Sequence, residues 1–329
     1  MRKDAGGGER PARGDAERCA VSRLVLVTGG AGFIGSNLVR TLLERGDEVR
    51  VLDNFSTGAR ANLDGLDVEV VEGELRSYER VHNAVRGVEV VFHLGALGSV
   101  PRSVQDPLTS TAVNVEGTLN VLLAARDEGV RRVVFASSSS VYGPQETLPI
   151  PEQAAPDPIS PYGVAKLAAE RYCVSFARVY DRLETVALRY FNVFGPRQSP
   201  SSQYAAVVPL FIAAIAAGRP VTIHGDGEQS KDFTYVSNVI DATIAAADAA
   251  GVNGRIFNVS AGSAATVNAL ADLIGRILDR PVERRHAPPR PGDIRHSWAD
   301  IGAARETLGY APTVSLEDGL RATAEFLVG

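Results

Sequence analysis

The sequence predicts an α/β fold in which a doubly wound parallel sheet is followed by a smaller α/β lobe. Residues 24–27 are all apolar and are followed by a threonine at 28. A glycine-rich segment, 29–35, comes next, and a helical pattern follows it. This is typical of a buried parallel strand, a turn and a helix. Strands and helices then alternate as far as Arg189, as in a parallel sheet covered by helices. Beyond Arg189 the alternation loosens, which indicates the second lobe.

The elements follow in a regular order. Strands are predicted at 24–28, 48–52, 68–72, 88–94, 132–136 and 183–189, and helices at 36–45, 79–86, 106–128 and 161–180. The later part has predicted helices at 204–217, 237–249 and 266–278, strands at 221–224 and 255–259, an extended proline-rich loop at 280–293 and two closing helices. The strand at 255–259 is predicted to return to the large sheet.

The glycine segment is a candidate dinucleotide site. Gly30, Gly32 and Gly35 fit the spacing G-x-G-x-x-G, and Gly29, Gly32 and Gly35 fit a looser G-x-x-G-x-x-G. Glycine at these places allows a tight turn and a close approach of the backbone to a pyrophosphate, which the helix N-terminus then receives. Asp53 ends the second strand, about 20 residues further on, where an acid can bind the ribose hydroxyls. Because this carboxylate would repel a 2′-phosphate, the sequence favours NAD over NADP.

A candidate catalytic pair lies on the helix predicted at 161–180. Ser160 is a favourable N-cap and Pro161 suits the first turn. Tyr162 and Lys166 are four residues apart and therefore share one face of that helix. An ammonium beside a phenol favours the phenolate, so we expect Lys166 to lower the pKa of Tyr162 toward neutrality. The serine run 137–140 follows a buried strand, at the sheet edge where ligands bind in such folds.

Composition excludes several classes of protein. The 329 residues carry a net charge of −5 with mixed signs, so no basic stripe points to nucleic acid. No apolar run reaches the roughly 18 residues of a membrane span. The two cysteines, Cys19 and Cys173, offer no disulfide framework, which predicts a cytoplasmic location. Residues 1–20 lack the apolar centre of a secretion signal and are predicted to be a disordered tail.

Metal chemistry is not expected. The five histidines show no ligand spacing and two cysteines cannot build a zinc site. His93 ends an apolar strand and is interpreted as a hydrogen-bonded structural residue rather than a base.

Eight motifs, in this order, resemble the extended short-chain dehydrogenase/reductases, and among them the nucleotide-sugar 4-epimerases. The motifs are TGGAGFIGSNLV (28–39), LDNFSTG (52–58), FHLGA (92–96), FASSSSVYG (135–143), PISPYGVAKLAAE (158–170), RYFNVFGPRQ (189–198), GDGEQSKDFTYV (225–236) and RPGDIRHSWAD (290–300). The resemblance implies a Rossmann domain at 21–191, to which 230–263 returns, and a substrate-binding lobe at 192–229 and 264–329. It also implies a homodimer formed through the helices at 106–128 and 161–180.

The resemblance assigns a role to individual residues. The catalytic group it implies is Ser138, Tyr162 and Lys166. The NAD site it implies contains Gly29, Gly32, Phe33, Ile34, Gly35, Asp53, Asn54, Glu74, Leu75, Leu94, Ala96, Tyr162 and Lys166. The UDP-sugar site it implies contains Ser99, Ser138, Ser139, Tyr162, Asn192, Lys231, Arg290, Asp293 and Ser297. Lys231 stands where the family commonly has arginine, and Glu74 where it usually has aspartate.

The same resemblance bears on the reaction and the sugar. Ser139 and Ser140 occupy the positions where the dehydratase branch has an Asp-Glu pair, so a 4-epimerase is favoured over a dehydratase. Ser297 occupies the position that faces the sugar C2 substituent, where enzymes confined to non-acetylated sugars have tyrosine. A small residue there admits an N-acetyl group, which favours UDP-GlcNAc and UDP-GalNAc as substrates. A 4-epimerase of UDP-glucose or UDP-glucuronate, and a non-catalytic NAD-sensing protein, are the alternatives.

Overall fold

The computed structural model describes residues 22–200, 206–289 and 294–329. The tail predicted at 1–20 lies outside this range, as do Arg290 and Asp293. In chain order the strands are β1 (Leu24–Thr28), β2 (Glu48–Asp53), β3 (Glu69–Glu72), β4 (Val90–His93), β5 (Arg132–Ser138), β6 (Glu184–Tyr190), β7 (Val193–Phe194), β8 (Val221–His224), β9 (Ser230–Lys231), β10 (Thr234–Tyr235), β11 (Arg255–Val259), β12 (Ala265–Thr266), β13 (Arg284–Ala287) and β14 (His296–Ser297).

Eleven α-helices occur in the described part of the chain. They are α1 (Phe33–Glu44), α2 (Tyr78–Val85), α3 (Val100–Gln105), α4 (Pro107–Thr111), α5 (Gly117–Asp127), α6 (Pro161–Val179), α7 (Val207–Ala216), α8 (Val236–Asp248), α9 (Val267–Leu278), α10 (Gly302–Leu308) and α11 (Leu316–Val328). A π-helical turn, Ala112–Glu116, joins α4 to α5. Single 3₁₀ turns occupy Arg60–Leu63 and Ser139–Val141.

The predicted doubly wound parallel sheet is confirmed. Seven strands lie in the order β11-β6-β5-β4-β1-β2-β3, and each adjacent pair is parallel. The predicted return of β11 is also confirmed, because its residues pair in register with β6. The carboxyl ends of all seven strands therefore meet at one edge of the sheet, where ligands bind in this architecture.

Two apolar layers hold the helices against the sheet. Val25 and Val27 of β1 face α1 and α8, while Leu26 between them faces the layer that contains α2, α5 and α6. This alternation explains why the strand is apolar throughout, since both of its faces are covered. A third cluster packs α7, α9 and α11 around β8, within the segments predicted as the substrate-binding lobe.

The structure differs from the prediction in several short elements. The loop predicted at 280–293 contains β13, which pairs with β8. The segment before the helix predicted at 106–128 contains α3, and that helix is interrupted by the π turn. Ile301, Ala304 and Tyr310 belong to the apolar layer of the large sheet, although 264–329 was predicted as the substrate lobe. The division into lobes otherwise stays a prediction. Among the residues described, no helix is both long and apolar enough to cross a membrane.

Candidate active site

A cleft of about 1990 Å³ runs along the carboxyl edge of the large sheet and reaches α7 and β8 of the smaller lobe. Pockets for one drug-sized ligand measure about 300–1000 Å³, so this cleft has room for a dinucleotide and a second ligand. Of the residues predicted for the site, eighteen line it. They are Gly29, Gly32, Phe33, Ile34, Gly35, Asp53, Asn54, Glu74, Leu75, Leu94, Ala96, Ser99, Ser138, Ser139, Tyr162, Lys166, Asn192 and Lys231.

The glycine loop has the geometry of an anion-binding turn. Gly29 has a φ of +71°, which side-chain-bearing residues rarely adopt. A Cβ on Gly35 would lie 2.1 Å from the carbonyl oxygen of Gly29. Helix α1 begins at Phe33, inside the loop and three residues before the predicted start, with no acidic residue in its first turn. Its free N–H groups and the positive end of its dipole therefore face the cleft.

Asp53 connects the second strand to this loop. Its side chain accepts hydrogen bonds from the backbone N–H groups of Ala31 (3.0 Å, to Oδ2) and Phe55 (2.8 Å, to Oδ1). Each carboxylate oxygen keeps a second lone pair that can accept from a ribose hydroxyl. Asn54 accepts from the N–H of Ser56, and Glu74 is ion-paired with Arg76. A tight glycine turn, a bare helix N-terminus and an acid at the next strand end fit NAD.

Helix α6 and strand β5 bring the predicted catalytic group together. Strand β5 extends two residues beyond its predicted end, to Ser138. The Ser138 hydroxyl lies beside the Tyr162 phenol, whose pKa it lowers, and donates to the hydroxyl of Ser140 (3.2 Å). Lys166 Nζ donates to the carbonyl oxygen of Ala136 (2.8 Å). The hydroxyl, the phenol and the ammonium group therefore meet at the end of one strand.

The expected lowering of the Tyr162 pKa is wrong for the protein described here. Tyr162 is half-buried at the wall of the cleft. This burial raises its pKa, while the hydroxyl of Ser138 lowers it by less. Burial also lowers the pKa of Lys166 to about 8. The two residues share a helix face, but Lys166 is bonded to Ala136. Desolvation of the phenol, which a sequence alone does not reveal, is the largest effect on its pKa.

One positioning contact was not foreseen from the sequence. The backbone N–H of Tyr162 donates to Ser103 Oγ (3.0 Å), although the residues lie 59 positions apart. Ser160 caps the same helix as predicted, accepting from the N–H of Gly163 (3.1 Å). Ser103 lies on α3, and Ser99 caps that helix by accepting from the N–H of Arg102. A Ser followed by Val-Pro is an N-cap and first-turn signal that could have revealed α3.

The far side of the cleft carries cations. Asn192 has a φ of +31° and donates to the backbone oxygen of Asp232 (3.1 Å). Lys231 donates to the backbone oxygen of Ile294 and lines the cleft, as do Arg219 and Arg285, which the sequence reading did not single out. Positive side chains here suit the diphosphate of a nucleotide.

Ser297 differs from the other predicted residues. Its side chain is buried, with 5 % of the residue exposed, and it lies outside the set of described residues that line the cleft. It pairs in register with Lys231 across the parallel strands β9 and β14, and in-register residues project to the same face of a sheet. Arg290 and Asp293 lie outside the described residues, so their predicted contacts stay predictions.

His93 is a structural residue, as expected. Its two ring nitrogens are hydrogen-bonded to Thr28 (2.7 Å) and Thr118 (2.9 Å), and burial lowers its pKa to about 3. Within the part of the chain that is described, no cluster of three histidine, cysteine or acidic side chains could hold a metal ion.

Comparisons with known proteins agree with this site. Residues 25–260 match the model of the NAD dependent epimerase/dehydratase family. The chain is 40 % identical over 311 residues to a UDP-glucose 4-epimerase from Mycolicibacterium smegmatis, covering 92 % of this chain and 97 % of that protein.

Two solved structures have a similar fold along nearly the whole chain. One is a UDP-N-acetylglucosamine 4-epimerase from Methanobrevibacter ruminantium in complex with UDP-N-acetylmuramic acid (TM-score 0.88, 38 % identity, 93 % of this chain and 98 % of that one). The other is a UDP-glucose 4-epimerase from Thermus thermophilus in complex with NAD (TM-score 0.87, 37 % identity, 93 % and 99 % covered).

Proposed function

The chain belongs to the NAD-dependent epimerase/dehydratase family, and we propose on this basis that it interconverts UDP-GlcNAc and UDP-GalNAc at C4. At the coarser level it is an isomerase, an NAD-dependent 4-epimerase of UDP-sugars. The observation that carries the proposal is the meeting of Ser138, Tyr162 and Lys166 in one cleft with a dinucleotide-type loop.

The residues divide the work between proton transfer and binding. Tyr162 takes the proton from the sugar 4-hydroxyl, and Ser138 hydrogen-bonds the same oxygen as its charge develops. Gly29, Gly32, Gly35 and Asp53 would hold NAD, which would supply the acceptor and donor of the C4 hydride and a positive ring that favours the phenolate. With the 4-keto form of the sugar turned over in the site, the configuration at C4 would be inverted without net oxidation.

Epimerisation is supported over dehydration by the residues that follow Ser138. A dehydratase must protonate a leaving sugar hydroxyl and needs an acid for this step. Ser139 and Ser140 form the 3₁₀ turn that lines the cleft, and their hydroxyls are far too weakly acidic for that role.

The preference for N-acetylated sugars rests on Ser297 and on the UDP-N-acetylglucosamine 4-epimerase among the similar structures. The main alternative is the UDP-glucose and UDP-galactose pair, since a 40 % identical relative is a UDP-glucose 4-epimerase. UDP-glucuronate is a third option. A cytoplasmic location also remains part of the proposal, supported by the low cysteine content.

A substrate panel tests the proposal directly. The purified enzyme is incubated separately with UDP-GlcNAc, UDP-glucose and UDP-glucuronate, and the anomeric region is followed by proton NMR. We expect interconversion of the N-acetylated pair, with bound NAD released on denaturation. No conversion of UDP-GlcNAc together with conversion of UDP-glucose would establish the alternative and refute our choice of sugar.

Ser297→Tyr tests the residue proposed to select the sugar. The added ring should lower kcat/KM for UDP-GlcNAc at least about tenfold while sparing UDP-glucose. Ser297→Ala is the control, because it removes the hydroxyl without adding bulk and should keep both activities. Equal loss on both sugars in the tyrosine variant would reject a role in sugar selection.

Tyr162→Phe tests the proposed base. Removing the phenolic oxygen should reduce kcat about 10³-fold, while NAD content after purification stays at the parent value because the ring is retained. A phenylalanine variant that keeps parent activity would exclude Tyr162 as the base.

A further inference from the structure

A buried ion pair lies directly beneath the catalytic group. Glu170 of α6 and Arg189 of β6 have side chains that are 0 % and 1 % exposed. Two hydrogen bonds join them, from Nη2 to Oε1 (2.6 Å) and from Nε to Oε2 (2.8 Å). Burial opposes the charge of Arg189, but the bonds to Glu170 outweigh it and raise the Arg189 pKa. Arg189 therefore carries its charge, and its forked contact with Glu170 is directional.

This pair is linked to the strand that carries Ser138. Ser137 Oγ donates to Glu170 Oε2 (2.9 Å), and Ser137 is also the in-register partner of Arg189 between β5 and β6. Three consecutive residues of β5 thus contact three residues of α6 at four-residue intervals. Ala136 accepts a hydrogen bond from Lys166, Ser137 donates one to Glu170, and the Ser138 hydroxyl lies beside the Tyr162 phenol.

The other side of Arg189 is fixed as well. Its guanidinium carbon lies 4.5 Å from the centre of the Tyr142 ring, and its Nη1 donates to the backbone oxygen of Glu152 (3.1 Å). The Tyr142 hydroxyl donates to Asn258 on β11 (2.7 Å). Arg189 therefore has little freedom, and Glu170 takes its position from it.

Stability alone does not account for such a pair, because apolar residues of similar volume often replace buried ion pairs without loss of stability. We propose that Glu170 and Arg189 are positioning residues that fix α6 against the end of β5 and so hold Tyr162, Lys166 and Ser138 in register. The inference rests on the proposed function, in which these three groups must act on one sugar oxygen.

The test replaces both charges together, so that no buried charge is left unpaired. In Glu170→Leu/Arg189→Met we expect a Tm close to that of the parent and an unchanged KM. We expect kcat to fall by at least about tenfold, because small displacements of reacting groups are costly. The matched control is Arg132→Met/Glu184→Leu. That ion pair (2.5 Å) joins β5 to β6 at their amino ends, away from the cleft, and its loss should leave kcat unchanged.

A second readout does not depend on activity. The chain has three lysines, Lys3, Lys166 and Lys231, so their side-chain resonances can be followed by NMR with isotope-labelled lysine, with Lys3→Arg and Lys231→Arg for assignment. In the parent we expect a Lys166 pKa of about 8. In the double variant Lys166 should lose its hydrogen bond to the Ala136 carbonyl oxygen and become hydrated. Its pKa should then rise by about one unit.

The surroundings of Lys166 make that titration readable. Burial lowers the pKa of His93 to about 3 and raises that of Cys173, so neither group titrates between about pH 6 and 10. Burial raises the pKa of Tyr162, and Glu170 and Arg189 are absent from the double variant. A shift in the Lys166 resonance across this range therefore reports on Lys166 itself.

The outcomes separate the two proposals. A double variant with parent kcat and parent Lys166 pKa would overturn the positioning role. A parent enzyme inactive on every UDP-sugar would refute the proposed function, while the Lys166 pKa would still decide the positioning role. Should the double variant not fold, Ser137→Ala removes only the bond between β5 and Glu170. It should lower kcat about fivefold at unchanged Tm, and its full activity would refute the role.

Discussion

At the scale of single residues, Lys166 is an ammonium group in the protein interior, where desolvation makes the charged form unfavourable. It is 3 % exposed, and burial lowers its pKa to about 8 from the ordinary 10.5. A displacement of this size corresponds to about 3 kcal/mol of lost stability at neutral pH. The hydrogen bond to Ala136 offsets only about 1 kcal/mol of this loss. We infer that this lysine is retained for the reaction and at the expense of stability.

Lys166→Met should therefore make the protein more stable and inactive. The folded pKa lies below the unfolded one, so the unfolded chain binds the extra proton between about pH 8 and 10.5. The cost of Lys166 is thus complete below pH 8 and disappears as the pH rises toward 10.5. We expect the variant to gain about 2 kcal/mol, or about 3 °C in Tm, at pH 7 and nothing at pH 11.

Thermal unfolding of parent and variant across this pH range measures the difference. Lys231→Met serves as the control, because Lys231 is only half-buried and its removal should give no such pH-dependent gain. A Lys166→Met variant that is less stable than the parent at pH 7 would contradict this account.

Much of the site at this scale could be read from residue spacing. Tyr162 and Lys166 were singled out because they lie one helical turn apart, and Asp53 because it ends a strand at the right distance from the glycines. The pKa of Tyr162 could not be predicted, because it depends on enclosure by residues far away in the chain. The contact between Ser103 and Tyr162 was invisible for the same reason.

At the scale of elements, the cleft depends on how closely β1, the glycine loop and α1 approach one another. Gly35 lies in the first turn of α1 and its Cα faces the carbonyl group of Gly29. Any side chain there must push the helix away from the turn. The free N–H groups at the start of α1 would then move out of reach of a pyrophosphate.

Gly35→Ala should therefore abolish retention of NAD, because the new methyl group would lie 2.1 Å from a backbone oxygen. NAD released by denaturation, measured per protein chain, should fall from the parent value to near zero. Gly46→Ala is the matched control. Gly46 has a φ of +87° and open space around it, so alanine there costs only backbone strain of about 1 kcal/mol. An alanine at 35 that retains NAD would refute the tight-turn account.

Long elements were predicted well and short ones poorly. Strands 221–224 and 255–259 match β8 and β11, because apolar runs between turn residues define them. The two-residue strands β9, β12 and β14 leave no pattern, since a strand of that length has no periodicity. The prolines of 280–293 led to the prediction of a loop where β13 lies. The strand fits between Pro281 and Pro288, so neither proline removes an N–H group from its pairing.

At the scale of the whole molecule, α3, α4 and α6 pack together and expose apolar side chains. Leu108 is 83 % exposed, Val104 59 % and Val164 54 %. Leu122 is fully buried, with Leu119 and Leu123 packed against the same layer. These leucines of α5 therefore face the sheet. The exposed residues form the surface that we propose for a homodimer.

Leu108→Glu tests this surface. A carboxylate at the centre of an apolar contact should convert a dimer of the 34.9 kDa chain into a monomer, as judged by light scattering after size-exclusion chromatography. Val328→Glu, at a 51 % exposed position near the end of α11, should leave the mass unchanged. A parent that is monomeric at all concentrations would refute the proposed dimer.

The place of β11 in the large sheet has a consequence for synthesis on the ribosome. About 70 residues separate the end of β6 from the end of β11, and at 5–20 residues per second their translation takes roughly 3 to 14 seconds. Throughout that interval the outer edge of β6 has no partner, and the face later covered by α8 is bare until Asp248 has been made. Unpaired edges invite association between nascent chains. We expect a chaperone that shields strand edges during those seconds to increase the yield of folded enzyme.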